Sequence, residues 1–397
     1  MCLRAALCAE QGSLVTRPII SMVAGETSGD MLAARMLSGL RPRLPDSLMH
    51  GIGGPRMAEH GFVNDWPMDK LSVRGLFEVL AHYREISGIR KQLKQRLLDE
   101  RPDVFIGVDA PDFNLDLEIQ LKQAGIPTMH YISPSIWAWR AGRIKKIAEA
   151  VSHMLVVFPF EEQIYQQAGI PVTYVGHPLA QVIPMEIDTA AARDELGLDP
   201  RFKVVAILPG SRISEIKYNT EAFVRAAKIL TDRDPNLQIV VPMAGNKQRA
   251  YYIKLVVAAG LEGVPVLLVD GRSHTVIAAA DAVLVASGTA SLEVALYKKP
   301  MVIAYKMMEA SWQILRHMGY QPWIGLPNIL EKEFVVPEFL QSAATPQALA
   351  EAIWQQLNDD ALQGRLRQRF TDMHHSLLRD TANLSAQAVL DVIQAHK

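Results

Sequence analysis

Two short strings in this chain have the residue types that can hold a diphosphate. Residues 208–215 (Leu-Pro-Gly-Ser-Arg-Ile-Ser-Glu) and 286–293 (Ala-Ser-Gly-Thr-Ala-Ser-Leu-Glu) each follow a short apolar run and precede a helix-like stretch. Backbone N–H groups at a helix start, with small residues beside them and an arginine, bind diphosphate without metal. In the first string Gly210 and Ser211 make the turn, Arg212 is the cation and Glu215 is a helix-start acid. In the second, Ser287, Gly288, Thr289 and Ala290 supply donors, and Glu293 can accept from ribose hydroxyls. Asn328, after Pro327, can place an amide near the base or sugar, although Pro-Asn pairs are common in turns.

Carboxylates occupy a second set of turns. The string 25–30 (Gly-Glu-Thr-Ser-Gly-Asp) directly follows an apolar run, so Glu26 sits where an α/β sheet presents its ligand crevice, and Asp30 is expected to cap the following helix. The string 108–114 (Val-Asp-Ala-Pro-Asp-Phe-Asn) repeats this logic. Asp109 lies at a strand's carboxyl end, while Asp112 or Asn114 falls near the next helix start, where one of the two aspartates is expected to cap. Asp109 is the better general base of the two, and Glu26 and Asp112 remain alternatives. Residues 131–140 add Trp137, Trp139 and Arg140, which suit either core packing with a solvated basic face or an anionic head group. His130, His177 and His274 have no metal spacing and read as structural; no metal and no cofactor are expected.

The elements that must position these turns follow a βα rhythm. Apolar runs at 19–24, 104–108, 128–132, 154–157 and 172–175 are followed by a second series at 204–208, 238–241, 266–269, 282–285 and 301–305, with helix-length segments between them. Continuous apolar strands imply parallel sheets covered on both faces, so the fold class is α/β with two facing Rossmann-like, doubly wound domains. Residues 1–17 are expected to be a disordered extension, 18–185 the N-terminal acceptor and membrane-side domain, and 186–360 the C-terminal nucleotide-sugar domain. Residues 361–397 are expected to form helices packing across the domains. The proline-containing stretch 177–200 is the expected linker.

With 41 basic and 42 acidic residues, the overall field would not gather nucleic acid. Both cysteines, Cys2 and Cys8, lie in the first eight residues, which excludes a disulfide framework and fits a reducing cytosol. No apolar run reaches the roughly 18 residues of a spanning helix. Residues 66–98 interleave apolar positions, Phe77 among them, with basic ones such as Arg74, Arg84 and Arg90. Such a stretch is either a core helix with a solvated basic face or a surface for acyl chains, phosphate and anionic lipid.

From residue 18 onward the ordered strings 23–30, 107–114, 133–140, 175–179, 208–212, 286–290 and 326–328 resemble the lipid-A-disaccharide synthase family. The resemblance implies a GT-B fold and an inverting, metal-independent hexosyltransferase. Its substrates would be UDP-2,3-diacylglucosamine and 2,3-diacylglucosamine 1-phosphate, and its products a β-1,6-linked disaccharide 1-phosphate and UDP. It further implies a cytoplasmic protein peripheral to the inner membrane of a Gram-negative bacterium, and dimers formed by exchange of C-terminal parts. By position, Asp109 becomes the base and Glu26 a contact to the reacting sugars. Arg212 and Asn328 would hold the uridine diphosphate and Glu293 its ribose. Arg74, Phe77, Arg84, Arg90, Trp137 and Arg140 are candidates for the acceptor or membrane. A UDP-N-acetylglucosamine 2-epimerase and a non-catalytic nucleotide-sugar-binding scaffold are the competing readings.

Overall fold

The structure, a computed structural model, describes residues 17–71, 76–137, 142–286, 288–315 and 321–397. They divide into two compact units, one of residues 17–136, 142–175 and 380–397, the other of residues 137 and 176–379.

The first unit carries seven parallel strands: β1 (Ile19–Ala24), β2 (Leu48–Gly53), β3 (Val63–Pro67), β4 (Val104–Val108), β5 (Thr128–Tyr131), β6 (His153–Val156) and β7 (Val172–Tyr174). Their spatial order is β3-β2-β1-β4-β5-β6-β7, with Ile20 beside Val104 in the central pair. The second unit carries six: β8 (Val204–Leu208), β9 (Gln238–Met243), β10 (Val266–Asp270), β11 (Ala282–Ala286), β12 (Met301–Tyr305) and β13 (Glu338–Leu340), ordered β10-β9-β8-β11-β12-β13. Both sheets share one plan. The chain builds outward from its first strand, then returns to that strand's other side, so helices leave in opposite directions at β1/β4 and at β8/β11. A crevice opens at the carboxyl ends there.

β2, β3 and β13 have no clear signal in the sequence, for different reasons. β2 (Leu-Met-His-Gly-Ile-Gly) breaks its apolar run with a histidine and two glycines, yet all but its first residue are buried. Gly51 has φ +138°, and a Cβ there would lie 2.1 Å from the Met22 carbonyl oxygen, so the glycine admits close approach of β1. β3 is a polar, partly exposed edge ending in Pro67, and β13 has only three residues. The expected linker holds two short helices, Pro178–Val182 and Thr189–Leu196.

The helix Leu76–Glu100 carries the basic amphipathic pattern. From Ile86 onward its apolar residues face inward: Ile89, Leu93 and Leu97 pack with Phe105, Phe113, Leu117 and Leu121. Each fully buried leucine contributes about 1.5–3 kcal/mol. Arg84, Lys91 and Arg96 face water on the other side. This half of the stretch is a core helix with a solvated basic face. The helix Thr381–Ala395 packs on Thr27–Leu40 so closely that a Cβ on Gly39 would lie 2.2 Å from the Ala382 carbonyl oxygen. Thr381 Oγ1 also donates to the Val175 carbonyl at 2.8 Å.

Candidate functional site

In the second unit, a cavity of about 470 Å³ opens at the carboxyl ends of β8 and β11. Its walls are the two strings singled out above, from Leu208 to Arg212 with Glu215, and from Gly288 to Ala290 with Glu293. Pro242–Ala244, Gly271 and Ser273 complete it. The helix Thr289–Leu296 begins at this cavity, and its first N–H groups have no intrahelical acceptor. Gly288 reaches φ +145°, a conformation that a side chain would strain.

The first string departs from expectation. Glu215 Oε2 accepts the N–H groups of Ser211 (3.0 Å) and Arg212 (3.1 Å), and its Oε1 pairs with the Arg212 guanidinium at 2.7 Å. The carboxylate is nearly buried and closes the helix Ile213–Arg233 from within, which is why those backbone donors are not an open anion cradle. Gly210 makes this possible, because a Cβ there would lie 2.4 Å from Glu215 Cβ. What faces a ligand here is the Arg212 side chain, 75 % exposed.

Glu293 sits 3.4 Å from His274 Nε2, and this hydrogen bond raises the imidazole's pKa against the opposing effect of burial. The ring of His274 lies tilted against Tyr297, with centroids 5.7 Å apart. Its sequence context suggests a structural histidine; the geometry makes His274 the partner of a cavity carboxylate. No local signal announces this, since the pairing is tertiary.

In the first unit, the turns after β1 and β4 lie side by side. A Cβ on Gly25 would meet Ala110 Cβ at 3.3 Å, and one on Gly29 would sit 3.4 Å from the Val108 carbonyl. Asp109 and Ala110 occupy the left-handed region, at φ +54° and +45°, and Ile132, just past β5, at +81°. Non-glycine residues held there cost about 1–3 kcal/mol each, and such strain concentrates at functional sites. Asp109 N–H still bonds Tyr131 O at 2.9 Å, which extends the sheet by one residue. Among the described residues its half-buried carboxylate has no hydrogen-bond partner.

The restraint on Asp109 comes from Asn114, fully buried, whose Nδ2 donates to the Asp109 carbonyl at 2.8 Å and to Val23 O at 3.4 Å. One turn on, Glu118 Oε1 meets His130 Nδ1 at 2.7 Å, both side chains having no exposure. Burial raises the Glu118 pKa and the imidazole opposes it. Gly107 is required between these groups, since a Cβ would lie 2.1 Å from Glu118 Oε1. Asn114 and Glu118 stand four residues apart in a helix whose buried face also holds Leu117 and Leu121, so the sequence marks both as polar residues on an apolar face.

Several expected positions resolve differently. Asp30 does not cap its own helix; its buried carboxylate accepts the N–H groups of Gly54, Arg56 and Met57 at 3.0–3.1 Å and caps the short helix Pro55–Ala58. Neither Asp109 nor Asp112 is a helix cap: Ala110 holds that position, and Asp112 pairs with Arg143 at 2.8 Å. Asn328 is fully buried with its amide consumed. Nδ2 donates to Val336 O and Glu338 Oε1, while Oδ1 accepts from Val335 and Val336, so it shapes the loop and offers no atom to a nucleotide. Arg90 pairs with Asp116 at 3.1 Å and packs its guanidinium over Phe113. Glu26 stands at the N-cap position of Thr27–Leu40 without a side-chain cap bond, and Arg84 is exposed. Trp137 is partly buried. His130 is structural, and His177 Nδ1 accepts the Leu179 N–H at 3.2 Å. Arg74, Arg140, Ser287, residues 1–16 and the side chain of Phe77 lie outside the described residues.

The family model described as lipid-A-disaccharide synthetase matches residues 20–392. A lipid-A-disaccharide synthase of Paraburkholderia phymatum is 54 % identical over 386 residues, covering 97 % of this chain and 99 % of that one. One from an Azoarcus species is 50 % identical over 378 residues, covering 95 % and 97 %. Among solved structures, a glycosyltransferase from Rickettsia africae superposes with a TM-score of 0.59 at 12 % identity, covering 96 % of this chain and 99 % of that one. A Neisseria meningitidis UDP-GlcNAc 2-epimerase bound to UDP-GlcNAc superposes with 0.56 at 11 %, covering 96 % and 100 %. At such identities the structural likeness speaks for the fold, two Rossmann-like domains of GT-B type. The sequence match over nearly all of the chain goes further: this chain belongs to the lipid-A-disaccharide synthase family.

Proposed function

We propose that the chain joins UDP-2,3-diacylglucosamine to 2,3-diacylglucosamine 1-phosphate in one inverting displacement, forming the β-1,6-linked lipid A disaccharide 1-phosphate and UDP. The observation that carries the mechanism is Asp109, strained into the left-handed region at the β1/β4 reversal with a carboxylate unpartnered among the described residues. Asp109 takes the proton of the acceptor 6-hydroxyl, and the oxygen attacks the anomeric carbon from the face opposite UDP. The bond from that carbon to the diphosphate oxygen breaks, and the configuration inverts. Glu26, on the neighbouring turn, contacts the reacting sugars.

UDP occupies the cavity at β8/β11. Charge growing on the leaving diphosphate is met by the Arg212 guanidinium and the N–H groups that open the helix Thr289–Leu296, donors fixed before the reaction begins. Glu293, oriented by His274, accepts from the ribose hydroxyls. Among the described residues no helix is long and apolar enough to cross a membrane. The reading places the basic stretch with Arg74, Phe77 and Arg84 at the inner-membrane phospholipid surface, with Trp137 and Arg140 beside the acceptor. A homodimer exchanging C-terminal parts belongs to the same reading, and light scattering tests it.

The deciding experiment follows UDP release from the donor in detergent with EDTA, with and without the acceptor. Acceptor-dependent release of UDP with formation of the disaccharide is expected. Donor turnover without acceptor would instead point to epimerase-like chemistry, and loss of activity to EDTA would overturn the metal-independent site.

A further inference from the structure

The second unit contains another cavity, of about 520 Å³, at the opposite edge of its sheet. It opens where Asp281 leads into β11 and Pro300 into β12, at the opposite end of β11 from Ala286, which lines the nucleotide cavity. Five-residue strands separate the two by about 15 Å. The two cavities share no lining residue, and the reaction proposed above does not use this one.

Its walls hold three cations, Lys298, Lys299 and Arg367, with the hydroxyl of Thr371 and the amide of Gln363. None of the three cations has a carboxylate within ion-pair distance among the described residues. Of the two acids present, Asp281 is engaged by Arg193 at 2.6 Å and by the Val204 N–H at 2.7 Å, and Glu186 is an exposed residue. The lysines bond only neutral acceptors: Lys298 Nζ reaches Pro184 O (3.2 Å) and His374 Nδ1 (2.7 Å), and Lys299 Nζ reaches Thr189 Oγ1 (2.9 Å). The His374 ring bonds the Ala180 carbonyl through Nε2, so it presents a bare Nδ1 and supplies no charge. An ammonium has three donors, so both lysines keep at least one in reserve.

Such an arrangement is unfavourable when empty. Desolvated ammonium groups without an ion-pair partner lose hydration and gain little: burial pushes both lysines down to about 8, and at Lys299 the neighbouring Arg193 and Arg367 add to this while Asp281 opposes it. An anion restores the missing partner for all three cations at once. Lys298 is moreover held at φ +57°, which fixes the direction from which this lysine pair enters the cavity. We propose that this cavity is a second anion site, taking a phosphate group through Lys298, Lys299 and Arg367. The volume exceeds that of a bare phosphate, so a phosphate ester fits as well as the free ion.

The test measures binding of inorganic phosphate to the whole chain by equilibrium dialysis, and retention on phosphatidylglycerol vesicles against phosphatidylcholine vesicles. Arg367→Gln alters only an exposed side chain and keeps the buried contacts, so it tests the site without threatening the fold. It is expected to weaken phosphate binding about tenfold, and Lys298→Met with Lys299→Met about a hundredfold. Binding of phosphate that depends on these residues identifies a free phosphate or soluble ester as the ligand. If phosphate fails but phosphatidylglycerol retention falls in Arg367→Gln, the phosphate belongs to a lipid headgroup. The proposal is overturned if neither probe binds, or if both bind Arg367→Gln and the double variant as well as the parent.

Discussion

The reversal points of the two sheets share a topology and differ in what they expose. At β8/β11 the turns offer N–H donors, an exposed arginine and a roomy cavity, while the one acid in the first turn is folded back to close its own helix. At β1/β4 the turns offer carboxylates, and the backbone that carries one of them is held out of its preferred conformation. On the proposed reading, strand order fixes where a ligand lies, and the turn residues fix whether the site binds charge or moves a proton. Strain appears where an atom must be aimed, and donors appear where charge must be neutralised.

This contrast is broken most directly at Asp109. Asp109→Ala is expected to lower kcat by about 10²- to 10⁴-fold while UDP affinity, measured by calorimetry, stays unchanged. A fall in UDP affinity would erase the division between the sites. Asn114→Ala sharpens the same point. Freed of the bond to its carbonyl, Asp109 relaxes, and kcat is expected to drop about 10- to 100-fold. A double variant with Asp109→Ala should be no slower than Asp109→Ala alone.

On the other side, Arg212→Ala is expected to weaken UDP binding about tenfold. Gly288→Ala should act in the same direction by straining a backbone at φ +145°. The smallest effect is electrostatic. His274 has its pKa raised, so its pairing with Glu293 stabilises the fold fully below pH 6.5 and is lost as pH rises through the elevated value. The pair is partly exposed, so unfolding titrations should lose only about 0.2–1 kcal/mol over that rise. His274→Asn should flatten the slope.

Much of this was legible in the chain. The strands flanking both reversals are continuous apolar runs, and the turns after them are marked by Gly, Ser and Asp, so the turns that stand at the two reversals could be placed by sequence alone. What could not be read was conformational or tertiary. Residue type does not encode that Asp109 and Ala110 are left-handed, because that follows from Asn114 reaching back to a carbonyl. Asn328 looked like a ligand's amide donor, and only the loop folded around it reveals that its four bonds are internal. Glu215 was recognised as a helix-start acid, but not as the occupant of the donors beside it. β2 hid behind glycines whose purpose is the proximity of β1.

The close crossing at Gly39 bears on how the protein is made. Thr381–Ala395 covers the first helix of the N-terminal unit, and Thr381 seals the end of that unit's last strand. During synthesis this unit must therefore wait, with the face of Thr27–Leu40 around Gly39 not yet covered by Ala382 and Ala386, while about two hundred further residues are translated at ~5–20 residues per second. For those seconds the nascent N-terminal unit lacks the helix that covers it, and Gly39→Val, which would push a side chain into the Ala382 carbonyl, should lower soluble yield before it lowers the turnover of whatever protein folds.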